Sequence, residues 1–202
     1  VMPVENRLQL INWAKTTDGI IIEDDYDSEL RYHGSPIPAL QGLNPAGNII
    51  YIGTFSKVLS PALRTSYMVL PYQLLDTYHA MFGDYAPSVP LLEQCTLREF
   101  MAQGYWDRHL RRLRTLYRKK HDAIIQSITR HLADNATILG QGAGLHVVLD
   151  LLDNSRTEHE LITLARQKGV KIFPISKPYH HPGDHVAQVM LGFGKMTLEE
   201  LD

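Results

Sequence analysis

Cysteine is almost absent from this chain, with Cys95 the single one among 202 residues. No intrachain disulfide can therefore form, and a reducing cytoplasm is the expected location. An excess of positive charge is also missing, because 20 lysines and arginines stand against 22 aspartates and glutamates. The chain as a whole therefore has no net attraction for nucleic acid. No apolar run reaches the ~20 residues that a membrane-spanning helix needs, so no membrane span is expected.

The hydrophobic pattern in the first half of the chain predicts helices that alternate with short apolar strands. This alternation is typical of an α/β layered domain. Because each predicted strand is a continuous apolar run, we expect a mainly parallel sheet that is buried on both faces. The predicted strands are 20–23, 49–52 and 67–70. The predicted helices are 4–17, 71–82 and 91–103.

A long helical pattern from 105 to 132 leads into the second half, which we expect to be a small α+β domain. Its predicted strands are 144–152, 170–174 and 186–191. A helix is predicted at 157–168, with Thr157 as its N-cap. The expected domains are therefore 1–107 and 108–202.

A lysine follows the second predicted strand in the string YIGTFSK, which ends at Lys57, and Arg64 comes seven residues later. The first strand ends in an acidic cluster that contains Asp24. An amine can form a Schiff base with an aldehyde, and a carboxylate can pair with a pyridinium nitrogen. A hydroxyl and a guanidinium can bind a phosphate. These residue types together predict a site for pyridoxal 5'-phosphate (PLP) at the carboxyl ends of the strands.

Two strings carry a family resemblance: EDDYDSELRY at 23–32 and GTFSKVLSPALRTSY at 53–67. They resemble the aminotransferase-like domain of MocR/GabR-type transcriptional regulators of the GntR family. These regulators belong to the fold type I superfamily of PLP-dependent aminotransferases. The resemblance implies that 1–107 is the C-terminal half of the PLP-binding large domain and that 108–202 is the long helix with the small domain. It also implies that the sequence is part of a longer protein.

The resemblance further implies a role for each matching residue. Lys57 is expected to form the internal aldimine from a poorly solvated position, and Tyr26 is expected to donate to the ring oxygen of the cofactor. Asp24 is expected to pair with the ring nitrogen. From the residues alone Asp25 competes with Asp24, because neighbours on a strand point to opposite faces and only one can face the ring. The phosphate is expected to be held by Thr54, Ser56 and Arg64.

Two functions follow as alternatives from the resemblance. The first is an effector-sensing domain, in which an amino compound forms an external aldimine and DNA is bound by a module outside this sequence. The second is an aminotransferase acting on an amino acid, with Lys57 also serving as general base. Aminotransferases of this fold resemble one another in clamping the substrate carboxylate with an arginine of the small domain. The predicted strand 186–191 contains no arginine, which favours the sensor. In both cases the site is expected at a homodimer interface.

The remaining motifs predict no further site. The histidine-rich segment 179–185 contains Pro-Gly and no cysteine, so we interpret it as a solvated loop and expect no metal. The basic run from Arg108 to Lys120 spreads around a predicted helix and is interpreted as a solvated helix face. His146 lies within a predicted strand and is interpreted as structural.

Overall fold

The computed structural model describes residues 2–32, 37–45, 47–139, 142–152, 155–175 and 187–201. The chain divides into two compact units, which we call the first and the second unit. The first comprises Val1–Glu29 and Gly34–Leu113, and the second comprises Leu30–His33 and Arg114–Asp202. These units differ from the expected domains 1–107 and 108–202 at residues 30–33 and 108–113. The histidine-rich segment 179–185 lies outside the described residues.

The first unit contains a three-stranded sheet and several helices. Its strands are β1 (Ile21–Asp25), β2 (Ile49–Thr54) and β3 (Ser66–Val69), in the order β1-β2-β3. Its helices are α1 (Val4–Thr17), α2 (Leu40–Leu43), α3 (Tyr72–Phe82), α4 (Leu91–Ala102) and the start of α5 (Tyr105–Leu132). All the predicted elements of this unit are present, and α2 is an additional short helix that the sequence pattern did not indicate.

The expectation of a mainly parallel sheet is only half right. Strands β1 and β2 pair in parallel, with Ile21 opposite Ile49, whereas β2 and β3 are antiparallel. The physical reason is the connection between β2 and β3, which turns back through residues 55–65 without a helix. A parallel pair needs a crossover connection, usually helical, whereas an antiparallel pair can be joined by a turn.

The expectation that the strands are buried on both faces is wrong. In β1, Ile21 is buried, whereas its neighbour Ile22 is 65% exposed. Helices α1 and α2 cover only one face, where Ala14, Leu40 and Ile49 pack around Ile21. All four residues of β3 are exposed. Strand β1 therefore has one covered face and one open face, and the edge strand β3 is exposed on both faces.

A largely shielded carboxylate, that of Glu23, ties the loop after β1 to the covered face. Glu23 accepts hydrogen bonds from the backbone N–H groups of Leu40 at 2.9 Å and Gln41 at 3.2 Å, and so caps the N-terminus of α2. Arg7 of α1 lies 3.3 Å from the same carboxylate and donates to the Pro38 carbonyl at 2.8 Å. The side chains of Arg7 and Glu23 are 14% and 10% exposed, so the ion pair is largely shielded from water.

The second unit is built on a four-stranded antiparallel sheet. Its strands are β4 (Ala136–Leu139), β5 (His146–Leu151), β6 (Phe173–Pro174) and β7 (Gln188–Gly192), in the order β4-β5-β7-β6. Helix α6 (Glu158–Gln167) starts with a complete capping box between Thr157 and Glu160, as predicted for its N-cap. The core includes His121, which is 3% exposed and packs against the rings of Tyr32 and Phe193. Among the described residues, no helix is long and apolar enough to cross a bilayer.

Candidate functional site

The two carboxylates at the end of β1 point to opposite faces of the sheet. Asp24 is exposed, like Ile22, on the open face, whereas Asp25 is half-buried. Tyr26 follows with 43% of its surface exposed. Within the described part of the chain, the Asp24 side chain makes no hydrogen bond and no ion pair. Asp24 is therefore the acid available to a ligand at this strand end.

The Asp25 carboxylate lies on the covered face of β1, where both of its oxygens accept hydrogen bonds. One oxygen of its carboxylate accepts the hydroxyl proton of Tyr51 at 2.9 Å, and the other accepts the backbone N–H of Ser28 at 3.2 Å. Burial, followed by the hydrogen bond to Asp25, raises the pKa of Tyr51 well above its usual value. The phenol is thus a neutral donor at any physiological pH. Sequence reasoning did not find Tyr51, although its odd-numbered position in β2 matches the face of Asp25.

Lys57 lies in the first turn of a closed loop between β2 and β3. The loop is closed where the Phe55 N–H donates to the Thr65 carbonyl at 3.0 Å, and its first turn is formed by the Leu59 N–H donating to the Phe55 carbonyl at 2.8 Å. The Lys57 side chain is exposed. The poorly solvated setting expected for Lys57 is therefore not provided by the residues described, because a turn at the open end of a strand is accessible to water.

The structure brings Lys57 and Tyr26 together. The Lys57 Nζ lies 5.6 Å from the centre of the Tyr26 ring, within the range of a cation–π contact. The negative charge of Asp27, then burial and the charge of Asp24, raise the pKa of the Tyr26 phenol. The phenol keeps its proton near neutral pH, as an ordinary tyrosine does, and can therefore donate a hydrogen bond next to the lysine amine.

The hydroxyl of Thr54 is built into the closure of the same loop. It donates to the Thr65 carbonyl at 3.3 Å and accepts the backbone N–H of Ser56 at 3.2 Å. Three of the residues expected to contact the cofactor, Thr54, Ser56 and Lys57, are therefore held in one turn. Thr65, which is buried, was not among the predicted residues.

Arg64 is exposed and has an unusual backbone conformation. Its φ of 49° lies in the left-handed region, which costs an ordinary side chain about 1–2 kcal/mol. This conformation directs the chain so that Thr65 can return its carbonyl to Phe55 and Thr54. In the described part of the structure, the guanidinium makes no hydrogen bond and no ion pair. Strained residues of this kind cluster at functional sites.

Buried contacts with α5 hold the loop between β2 and β3 in place. Val58 is 2% exposed, and its carbonyl lies 2.7 Å from Nε2 of His109 in α5. Phe55 packs edge-on against Trp106 at 5.7 Å between ring centres. His109 and Trp106 are further residues that sequence reasoning did not single out, since their periodicity indicates only one face of a helix.

The open end of the sheet thus presents one amine, one free carboxylate, one phenol, two hydroxyls and one guanidinium. This donor set fits PLP: an aldehyde for Lys57, a ring nitrogen for Asp24, a ring oxygen for Tyr26 and a phosphate for the loop. A separate cavity of about 610 Å³ lies at the opposite end of β1 and β2, beside α1. None of the predicted site residues lines that cavity. Within the described residues, no cluster of three or more metal-ligating side chains is present.

The fold is that of the PLP-dependent aminotransferases. The chain superposes over its whole length on the multiple substrate aminotransferase of Thermococcus profundus, with a TM-score of 0.87, 25% identity and coverage of 49% of that chain. It also superposes on the Pyrococcus horikoshii kynurenine aminotransferase in complex with PMP, with a TM-score of 0.88, 25% identity and the same coverage. No family model matches the sequence.

The sequence relatives include several transcriptional regulators. The chain is 43% identical over 202 residues to the HTH-type transcriptional regulator YdeL of Bacillus subtilis, covering 43% of that protein. It is 39% identical over 182 residues, or 90% of its length, to the probable rhizopine catabolism regulatory protein MocR of Rhizobium meliloti, covering 36% of that protein. The chain spans less than half the length of these curated relatives. It is a partial aminotransferase-like domain related to the MocR-type regulators of the GntR family, as the resemblance of its two motifs implied.

Proposed function

We propose that this chain is the PLP-binding part of the effector-sensing domain of a DNA-binding transcriptional regulator. The observation that carries the proposal is the meeting of the Lys57 amine and the Tyr26 ring at 5.6 Å. The free carboxylate of Asp24 lies two residues before Tyr26, at the same strand end. The relation to MocR-type regulators favours sensing over metabolism as the role of this site.

Each residue has a distinct task in this proposal. Lys57 would hold PLP through its amine, and bound PLP would supply the aldehyde chemistry by which an amino compound is recognised. Asp24 holds the proton on the ring nitrogen, because a nearby carboxylate favours the charged form of a base. Tyr26 donates to the ring oxygen. The hydroxyls of Thr54 and Ser56 and the Arg64 guanidinium bind the phosphate, the arginine with two parallel hydrogen bonds.

The regulator's other partners lie outside these 202 residues. We assign DNA binding to a helix-turn-helix module of the full-length protein, because the relatives are described as HTH-type. We also assign a homodimer, since the segment from α3 to α4 exposes many large apolar side chains, as interfaces do. These are Tyr72, Met81, Tyr85, Leu91 and Leu92. A cytoplasmic location follows from a role on DNA.

An aminotransferase acting on an amino acid is the second candidate, favoured by the match to active enzymes of this fold. In that case the Lys57 amine, once released, moves a proton at the substrate carbon as a general base. The two candidates share one cofactor site, and they differ in whether an amino donor and an oxo-acid are turned over.

The test begins with the full-length protein and PLP. Borohydride reduction followed by mass spectrometry should label Lys57, and Lys57→Ala should remove both the label and the visible absorbance band. Lys119→Ala, at an exposed lysine of α5, is the matched control and should leave both unchanged. A wild-type protein without label on Lys57 would refute the cofactor assignment.

The second step separates the two candidates. Amino compounds should change the absorbance spectrum and the affinity for promoter DNA, without steady production of oxo-acid. Steady turnover with an oxo-acid, together with no effect of amino compounds on DNA binding, would replace the sensor with the enzyme. The same amino compounds tested on Lys57→Ala show whether any effect on DNA depends on the imine.

A further inference from the structure

The Asp25 carboxylate joins three separate parts of the site region. It belongs to β1, accepts the Tyr51 hydroxyl of β2, and accepts the N–H of Ser28 in the turn that follows. Both oxygens are therefore engaged. The turn that it closes contains Tyr26, whose ring faces the Lys57 amine.

Tyr51 is itself held in place by neighbouring rings. The Tyr67 ring lies 6.1 Å from the Tyr51 ring and 5.4 Å from the Phe55 ring, all on the first unit. Tyr67 crosses directly over Gly53, where the absence of a side chain leaves room for its ring. The donor that holds Asp25 is thus fixed by packing before any ligand binds.

We propose that Asp25, anchored by Tyr51, is a positioning residue that aims Asp24 and Tyr26 at the cofactor. This inference rests on the proposed function and adds to it a residue that does not touch the cofactor. It explains why two adjacent aspartates end β1: one is free for the ligand, and the other determines which way the first one points.

The side chains of a strand alternate between its two faces. Successive residues point to opposite faces, so a side chain fixed to one face fixes its neighbour to the other. With Asp25 bound to Tyr51 beneath the sheet edge, Asp24 must lie on the open face. The hydrogen bond from the Ser28 N–H then restricts the conformation of the turn, so that Tyr26 stays close to Lys57.

The energetics favour a firm anchor. A hydrogen bond to a charged group is worth more than one between neutral groups. Burial and the bond to Asp25 both raise the pKa of the Tyr51 phenol, so the donor keeps its proton across the physiological range. Removing the hydroxyl leaves the half-buried Asp25 carboxylate with one donor fewer and frees the strand end to rotate.

The experiment measures the pH dependence of the PLP absorbance band in the full-length protein, together with the dissociation constant for PLP. Tyr51→Phe keeps the ring and removes only the donor, whereas Asp25→Ala removes the acceptor. We expect both to weaken PLP binding about 10-fold, as loss of a hydrogen bond to a charged group would. Both should also shift the pH midpoint of the band by about half a unit or more, because Asp24 then pairs less well with the ring nitrogen.

Two controls separate positioning from general destabilisation. Asp25→Asn keeps an acceptor oxygen for the Tyr51 hydroxyl and should restore most of the affinity and the midpoint. Lys119→Ala changes an exposed lysine of α5 and should have no effect. A variant that merely unfolds more easily would lose occupancy without moving the midpoint.

The outcomes distinguish this inference from the function on which it rests. Suppose that the wild type has a Lys57-dependent band and that neither Tyr51→Phe nor Asp25→Ala changes the pH midpoint of that band. This result overturns the role of Asp25 alone. If the wild type has no absorbance band that depends on Lys57, the proposed function and the positioning role are overturned together. A shifted midpoint that Asp25→Asn restores supports both.

Discussion

Replacing Gly53 with alanine should disrupt the aromatic packing that underlies the site. An added Cβ would lie 2.5 Å from the hydroxyl oxygen of Tyr67 and 2.7 Å from its Cε1, well inside contact distance. The ring must therefore move away from Phe55 and Tyr51, with which it forms two aromatic contacts. Each such pair is worth about 0.5–1.5 kcal/mol beyond its buried area, so the loss is about 1–3 kcal/mol.

Part of that loss is offset by the lower conformational entropy of the unfolded chain. Alanine has less backbone freedom than glycine, which stabilises a protein by about 0.4–1 kcal/mol where the native backbone permits it. Gly53 does not have a positive φ, so alanine is compatible with its backbone. The expected net result is a decrease of about 1–2 kcal/mol in the free energy of unfolding, measured by urea denaturation with Trp106 fluorescence as the probe.

A matched glycine and a second substitution make this reasoning refutable. Gly192, at the end of β7, has no atom closer than 3.9 Å to the position of an added Cβ, so Gly192→Ala should be neutral or slightly stabilising. Because the three atoms nearest to the added Cβ all belong to the Tyr67 side chain, Gly53→Ala should cost almost nothing in a Tyr67→Ala background. If Gly53→Ala cost the same with and without that ring, the packing argument would be wrong.

Three further predictions concern the groups around the site. Glu23→Ala should lower the free energy of unfolding by about 3–5 kcal/mol in urea titrations, because it leaves the shielded Arg7 charge unpaired, and Glu23→Gln should cost less. Arg64→Gly should be more stable than Arg64→Ala by about 1 kcal/mol in thermal melts, since glycine adopts the φ of 49° without strain, while both lose affinity for PLP. The raised pKa of Tyr51 means that the folded state keeps a proton that the unfolded chain releases above about pH 10. The contribution of Tyr51 to the free energy of unfolding should therefore be fully present below that pH and fall above it, by up to about 1.4 kcal/mol per pH unit. Tyr51→Phe should remove this part of the alkaline loss, as measured by urea titrations between about pH 9 and 11.

Long helices were the most predictable part of the fold. Helices α1 and α5 begin and end where the sequence pattern placed them, at Val4–Thr17 and Tyr105–Leu132. Asp18 ends α1 with a φ of 52°, a left-handed conformation that a short polar side chain tolerates. The short elements α2 and β4 were missed, because four residues contain too few repeats of any period to be recognised.

Pairing and burial were harder to predict than the elements themselves. A continuous apolar run such as Ile20–Ile22 indicates a strand but not what covers each of its faces. The structure covers one face of β1 with α1 and α2 and leaves the other open, so Ile22 remains exposed. The edge strand β3 is exposed on both faces. The direction of β3 depended on the loop from 55 to 65, whose turns are set by backbone hydrogen bonds that no side-chain pattern reveals.

The same distinction applies to the candidate site. The spacing within each string was enough to predict Lys57 and Arg64 in one loop, because the bonds that close that loop join residues near in sequence. The choice between Asp24 and Asp25 was different, because alternation shows only that they point apart. The structure distinguishes their contacts through Tyr51, 26 residues further along the chain, whose hydroxyl bonds Asp25 across a parallel strand pair. That bond depends on the register of β1 against β2 and on the room that Gly53 leaves for Tyr67, which are properties of the folded sheet. The loop that holds Lys57 and Arg64 could thus be predicted from sequence, whereas the hydrogen bond that distinguishes Asp25 from Asp24 could be identified only from the structure.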